Sequence, residues 1–269
     1  MNKVIDLHPV WNPDPVIFEI FSLQLRWYGL LFVSGFLIGF YIMHWMYQRE
    51  GKDVKQLDRL LYYMFAGAVI GARLGHCIFY EPEYYFANLA NMLEILYIWK
   101  GGLASHGGTV GMILAVYLFQ RNIEDSFLYI TDRLSIPISL GAMSIRLGNF
   151  FNSEILGTKT DSVFGIIFSR FDNVARHPAQ LYEAAAYLFT FLLLFYLYKT
   201  RIKQLGDGFL IGTMFISIFS FRFLIEFVKL EQADYIPDLP LNVGHILSIP
   251  FIILGIILIL NSRKQRDTI

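Results

Sequence analysis

Cysteine is nearly absent from this chain, with Cys77 alone among 269 residues. That excludes an internal disulfide and any multi-cysteine metal cluster. The apolar setting of Cys77 reads as that of a small buried hydrophobe, not a nucleophile, because such surroundings raise a thiol's pKa. Charge is scarce, 16% of residues, and has no net sign, with 22 Lys plus Arg against 22 Asp plus Glu. No global field therefore points to nucleic acid or to an acidic substrate. The opening MNKVIDLHPVWNPDPVIFEIF lacks the basic n-region and apolar h-region of a cleavable leader, so the first hydrophobic helix is expected to be retained. The chain also lacks a P-loop, a paired zinc-ligand motif and a Ser-His-Asp order, and nothing in it asks for a metal or organic cofactor. Without linkers, repeats or low-complexity stretches, residues 1–269 read as one domain.

What the chain does have is apolar surface: 55% hydrophobic residues, 25 Phe and a mean hydropathy of +0.49, which needs lipid as solvent. Spanning a hydrocarbon core takes about 20 predominantly apolar residues. Seven segments qualify as candidates: Trp27 to Tyr47, Leu60 to Tyr80, Gly107 to Phe119, Phe127 to Leu147, Leu181 to Tyr198, Phe209 to Val228 and Val243 to Leu260. The third is too short alone. The glycine-broken ILYIWKGGLASHGG before it is expected to enter the bilayer and turn back, carrying His106. The fold class is thus an all-α polytopic membrane protein of about seven transmembrane helices with a re-entrant glycine-rich segment.

Basic residues in the connections orient it, since short cytoplasmic loops are enriched in Lys and Arg. One side collects Arg49, Lys52, Lys55, Arg59, Arg121, Lys199, Arg201, Lys203, Arg263, Lys264 and Arg266. The other holds Lys3, Arg26, Lys100, Lys159, Arg170, Arg176 and Lys229, spread over longer connections. The N-terminus is therefore expected outside and the C-terminus inside. A small outer head, 149–180, contains SVFGIIFS, which reads as a short strand.

Arginine at membrane depth is costly and usually marks a polar site or an ion pair. Arg73, Arg133, Arg146 and Arg222 all qualify. Arg222 and Glu226 are four apart on one helix face, which fits either a closed structural pair or a ligand path. In SIRLGNFFNSEILG, Arg146, Asn149, Asn152 and Glu154 cluster at the outer end of a span, and capping explains an Asn there but not the arginine. His106 lies between Ser105 and a Gly pair, where the backbone could approach a ligand and the imidazole act near neutral pH; a hydrogen-bonded turn histidine is the alternative. In HPAQLYE, His177 fits a helix cap with Pro178 in the first turn, and Glu183 fits a group that holds an arginine in place.

Taken together, LRWYG (25–29), GGLASHGG (101–108), RLGNFFNSE (146–154), HPAQLYE (177–183) and FRFLIEF (221–227) resemble the prolipoprotein diacylglyceryl transferase family. The resemblance covers nearly the whole chain. It implies an inner-membrane enzyme with a periplasmic head and active site, taking the diacylglyceryl group of phosphatidylglycerol to the lipobox cysteine of prolipoprotein signal peptides and releasing glycerol 1-phosphate. The site residues it implies are Tyr28, His106, Arg146, Asn149, Glu154, Arg222 and Glu226. Ile145 stands where the family has glycine, Ile218 where it has tyrosine, and His245 where glutamine is expected.

Such a reaction poses two tasks. A thiol of ordinary pKa about 8.5 must lose its proton, and charge building on a phosphate ester must be stabilised. The planar, permanently charged forks of Arg146 and Arg222 suit the phosphate. Tyr28 and Asn149 suit headgroup orientation, and Glu154 and Glu226 suit arginine alignment or headgroup contact. The base stays open between His106 and Glu154. A lipid or anion transporter is the competing class, since intramembrane arginines and broken helices also build substrate paths.

Overall fold

A computed structural model describes residues 8–21, 23–98, 101–230 and 241–267. Seven long helices dominate it: α1 (Trp27–Arg49), α2 (Val54–Phe79), α5 (Ser105–Gln120), α6 (Phe127–Asn152), α7 (Ala179–Arg201), α8 (Phe209–Glu226) and α9 (Val243–Asp267). Two short helices, α3 (Pro82–Tyr85) and α4 (Leu89–Leu93), lie between α2 and α5. Each of the seven candidate spans is helical. Five helices (α1, α2, α7, α8 and α9) are long and apolar enough to cross a membrane. At 1.5 Å per residue the 16 residues of α5 extend about 24 Å, less than the hydrocarbon core. α6 is long enough but carries Asp132, Arg133 and Arg146.

Helix starts follow local chemistry. Asp53 caps α2 by accepting the Lys55 N–H at 3.0 Å. α8 has no side-chain cap of its own; it begins at Gly208, whose φ of 94° suits glycine, and the buried Asp132 carboxylate from α6 accepts the N–H groups of Gly208 (2.9 Å) and Ile211 (2.8 Å). A carboxylate at a helix N-terminus satisfies orphan donors and complements the dipole. Asp132 is thus a structural cap inside an apolar helix.

By contacts the chain forms two compact units, Met43–Thr131 and Met1–Ile42 with Asp132–Ile269, and the divisions fall within α1 and α6. The smaller unit rests on α2 against α5. A Cβ on Gly111 would lie 2.0 Å from the Gly67 carbonyl oxygen, and one on Gly71 2.4 Å from that of Gly107, so the two backbones are in contact. Gly107 is therefore a packing residue within α5, against Gly71 and Gly75 of α2. Gly111→Leu is expected to force the helices apart and cost about 1–3 kcal/mol, read as a lower unfolding temperature in detergent. Gly29→Ala, with no atom near its Cβ, serves as the neutral comparison, and equal temperatures for the two variants would contradict the packing account.

Of the expected re-entrant segment, Trp99 and Lys100 lie outside the described residues. Gly101 and Gly102 have φ of 87° and 73°, and α5 starts directly afterwards at Ser105. Arg73 explains this corner. Its buried guanidinium donates to the carbonyls of Glu94 (2.6 Å), Ile95 (2.9 Å), Gly101 (2.6 Å) and Gly102 (3.2 Å) and stacks over Tyr85. This arginine clamps backbone, and four of its five donors are spent on that task.

In the larger unit α1 runs antiparallel to α6, with Tyr28 against Gly148, Gly35 against Ser144 and Gly39 against Pro137. The end of α6 enters a small β head. Strands β1 (Val10–Trp11), β4 (Ile166–Phe168) and β5 (Ala175–Arg176) form a sheet of order β1-β4-β5, parallel then antiparallel. Hairpin β2 (Val16–Ile20) and β3 (Leu23–Arg26) leads into α1. The strand expected in SVFGIIFS is β4. Phe150, Leu156 and Phe168 form the head's core, and Trp11 locks it to α6 by donating its indole N–H to the Phe150 carbonyl at 2.9 Å. α8 and α9 meet through Gly212 and Gly255 and through stacked Phe219 and Phe251.

Candidate active site

The outer end of α6 brings polar residues into one chain of contacts. Arg146 Nη1 donates to Asn149 Oδ1 at 3.2 Å, Asn149 Nδ2 donates to Glu154 Oε2 at 3.0 Å, and Asn152 Nδ2 donates to Glu154 Oε1 at 3.2 Å. Helical spacing sets Arg146 and Asn149 on one face, three residues apart. Glu154 lies beyond the helix end, in a turn flanked by Ser153 (φ 55°) and Ile155 (φ 57°). The side-chain amide of Gln180, fully buried at the start of α7, donates to the Glu154 carbonyl.

Glu183 extends this chain inward. At 1% side-chain exposure its Oε2 lies 2.8 Å from Arg146 Nε, an ion pair rather than an aligned hydrogen bond. Its Oε1 lies 3.4 Å from Lys229 Nζ, and Lys229 in turn sits 3.6 Å from Glu226 Oε2. Arg146, Glu183, Lys229 and Glu226 therefore alternate in sign across α6, α7 and the end of α8. Gly244, in the first turn of α9, makes room for Glu226: a Cβ there would lie 2.4 Å from Glu226 Oε1. A carboxylate over the first turn of a helix is favoured by its free N–H groups.

Arg222 is different. It is half-buried on α8, yet among the described residues none accepts a hydrogen bond from it or forms an ion pair with it. The pair with Glu226 that four-residue spacing allowed is not formed, because Glu226 is turned to Lys229 and Gly244. Tyr187, one turn after Glu183 on α7, interacts with both Arg146 and Arg222. It stands among the residues that pack with Ile218, so an aromatic hydroxyl reaches the arginines from α7 although α8 has isoleucine at that place. Ile145 leaves α6 unbroken through Asn152.

Tyr28 lies at the Arg146 end, its ring against Gly148, where any side chain would collide with it at 2.7 Å. Six of the seven expected site residues, Tyr28, Arg146, Asn149, Glu154, Arg222 and Glu226, belong to the larger unit. His106 belongs to the smaller one, exposed in the first turn of α5. His177 does not cap α7 with its ring, as its place before Pro178 suggested; Nδ1 pairs with the Tyr182 hydroxyl at 3.2 Å instead, and the N-cap residue is Pro178. Sequence reasoning missed Lys229, counted only as an outer charge, and Tyr187. Tyr187 had a signal, falling four residues after Glu183 on the same face of α7, whereas Lys229 lies past the end of α8, where helical spacing gives none.

In the head, Arg176 grips Asp172, and the Asp172 carboxyl is held below its usual range chiefly by that hydrogen bond. The same guanidinium stacks over Phe171 at 4.8 Å. Among the described residues no group of three His, Cys, Asp or Glu side chains could hold a metal ion.

This arrangement offers one guanidinium fixed by a buried carboxylate and a second without an acceptor among the described residues, a combination suited to a phosphate ester. A family model described as prolipoprotein diacylglyceryl transferase matches residues 15–261. The chain belongs to the prolipoprotein diacylglyceryl transferase family. A Tolumonas auensis protein named phosphatidylglycerol–prolipoprotein diacylglyceryl transferase is 48% identical over 257 residues, covering 95% of this chain and 98% of its own length. A Chloroherpeton thalassium protein of the same name is 50% identical over 258 residues, covering 95% and 94%. One from Bacteroides fragilis is 41% identical over 266 residues, covering 96% of each. Within this diacylglyceryl transferase family member, the multi-pass helical body agrees with the apolar sequence, and Arg146, Asn149 and Glu154 all fall inside the matched range.

Proposed function

We propose that this chain transfers the diacylglyceryl group of phosphatidylglycerol to the cysteine thiol of a prolipoprotein lipobox. Sulfur bonds to the terminal glycerol carbon, that carbon's bond to the phosphate oxygen breaks, the thiol proton goes to a base, and glycerol 1-phosphate leaves. The observation that carries this is the Arg222 guanidinium, without a hydrogen-bond or ion-pair partner among the described residues, which shares Tyr187 with the Arg146–Glu183 pair, within a chain of this family. Arg146 and Arg222 hold the phosphate, which gains charge as the bond breaks; preorganised donors stabilise that charge without reorganising. Asn149 and Tyr28 orient the headgroup, and Glu226 keeps Lys229 in place. No cofactor enters the scheme, since the lipid itself brings the activated group.

In this reading seven helices cross the inner membrane, with the glycine-rich ILYIWKGGLASHGG stretch leading into α5 as a re-entrant element. The N-terminus and the head 149–180 are periplasmic and the C-terminus cytoplasmic, and residues 1–269 work as one transferase domain. The basic residues of the connections support the orientation.

Purified protein incubated with phosphatidylglycerol and a lipobox peptide should give a peptide heavier by one diacylglyceryl group in mass spectrometry. An unmodified peptide would favour a transporter. His106→Gln and Glu154→Gln separate the two bases. A general base contributes about 10²–10⁴ in rate, so His106→Gln is expected to lose a factor of that order, and a normal rate would move the proton to Glu154.

A further inference from the structure

Next to Glu154, in the larger unit, lies a cavity of about 380 Å³ lined by Ser153, Glu154, Ile155, Leu156, Phe171 and Leu230. One wall is a strained turn. Ser153 and Ile155 both occupy the left-handed region, at φ 55° and 57°, which is rare for any residue but glycine and unusual above all for a β-branched one. Such conformations persist where the surroundings over-determine them, and they cluster at ligand sites.

Here the surroundings do so. The Ser153 N–H donates to the Phe150 carbonyl at 3.1 Å and the Glu154 N–H to the Asn149 carbonyl at 3.0 Å. Arg170 Nη2 donates to Ser153 Oγ at 3.0 Å and also to the Phe151 carbonyl, and Gln180 holds the Glu154 carbonyl. The turn places one carboxylate at the cavity while the side chains on either side of it supply the wall.

Phe171 and Leu230 add apolar lining. Phe171 is 53% exposed and Leu230 36%, yet the Phe171 ring is held in place by the Arg176 guanidinium stacked on it, itself tied to Asp172. A few polar atoms in an otherwise apolar pocket are the usual pattern of a ligand site.

Electrostatics selects the occupant. Among the described lining residues the only charge is the Glu154 carboxylate, which repels a phosphate. Arg146 reaches Glu154 only through Asn149 and does not line the cavity. The volume lies near the lower end of the roughly 300–1,000 Å³ of small-molecule pockets, small for a two-chain lipid.

We propose that this cavity is the acceptor subsite: it receives an uncharged apolar side chain adjacent to the reacting cysteine of the prolipoprotein, and so presents the thiol at its Glu154 end. The proposal rests on the transferase reading. Filling or emptying one apolar contact changes discrimination by about tenfold or more.

With phosphatidylglycerol saturating, Phe171→Ala in the full-length protein is expected to raise the KM for a lipobox peptide about tenfold, leaving the KM for phosphatidylglycerol unchanged. Phe171→Leu, which keeps an apolar wall, should retain most of the peptide affinity. A peptide with glutamate beside its cysteine should be a poor acceptor for the unaltered protein. A photoreactive benzoylphenylalanine in place of Phe171 should crosslink a lipobox peptide whose cysteine is replaced by serine, which tests the site even if the alanine variant unfolds. An unchanged peptide KM in a folded Phe171→Ala protein, a raised KM for the lipid alone, or no peptide crosslink would overturn the subsite. If the unaltered protein modifies no peptide, the transferase reading itself fails.

Discussion

Arg222→Gln will reduce diacylglyceryl transfer by about 10²–10³, the usual cost of removing one donor to a developing oxyanion, while the protein folds as before. The second half of that expectation follows from the geometry. Because no described residue takes a hydrogen bond or ion pair from Arg222, its removal strands no such partner among them. Arg146 is the opposite case. Taking it away leaves Glu183, 1% exposed, without one of its two cations, and breaking a buried pair costs about 3–5 kcal/mol. An Arg146→Ala variant should therefore lose both activity and stability, whereas Arg222→Gln should lose activity alone. Arg222→Lys keeps a charge but not the planar fork, so partial activity is expected. The measurement is initial rate against phosphatidylglycerol concentration beside thermal unfolding in detergent. Unfolding of the Gln variant at a markedly lower temperature would show that Arg222 is structural after all.

Periodicity and composition were enough to find the helices, because a helix that meets lipid must be apolar on most faces, and seven such runs stand out. The head was legible only in part. β4 shows as a short apolar run in SVFGIIFS, but its partner β1 is two residues long and pairs across the chain from Val10 to Ile167, and no local pattern encodes that pairing. The intramembrane arginines were visible as anomalies but not sortable. Arg73 spends its donors on four backbone carbonyls, while Arg222 spends none on the described protein, and only coordinates tell a clamp from an open cation. Spacing alone paired Arg222 with Glu226. It could not reveal the competitor, Lys229, whose burial depends on three chain segments converging.

That competition leads to the second expectation. Lys229 is buried between Glu183 and Glu226, 3.4 and 3.6 Å from their carboxylates. Counting Arg146, Arg222 and Lys229 against Glu154, Glu183 and Glu226, these site side chains balance at zero; without the lysine they carry a net charge of −1. Lys229→Met should thus act twice. It leaves Glu183 and Glu226 short of a cation, at a cost on the order of 3–5 kcal/mol, and it frees Glu226 to turn back to Arg222, four residues away on the same helix face. The open guanidinium would close, and the KM for phosphatidylglycerol should rise at least tenfold. Adding Glu226→Gln removes the carboxylate that would close it. The double variant is therefore expected to recover stability and part of the lipid affinity, and Lys229→Arg to stay close to the starting protein. If Lys229→Met alone left both the unfolding temperature and the lipid KM unmoved, Lys229 would not be what holds Arg222 open.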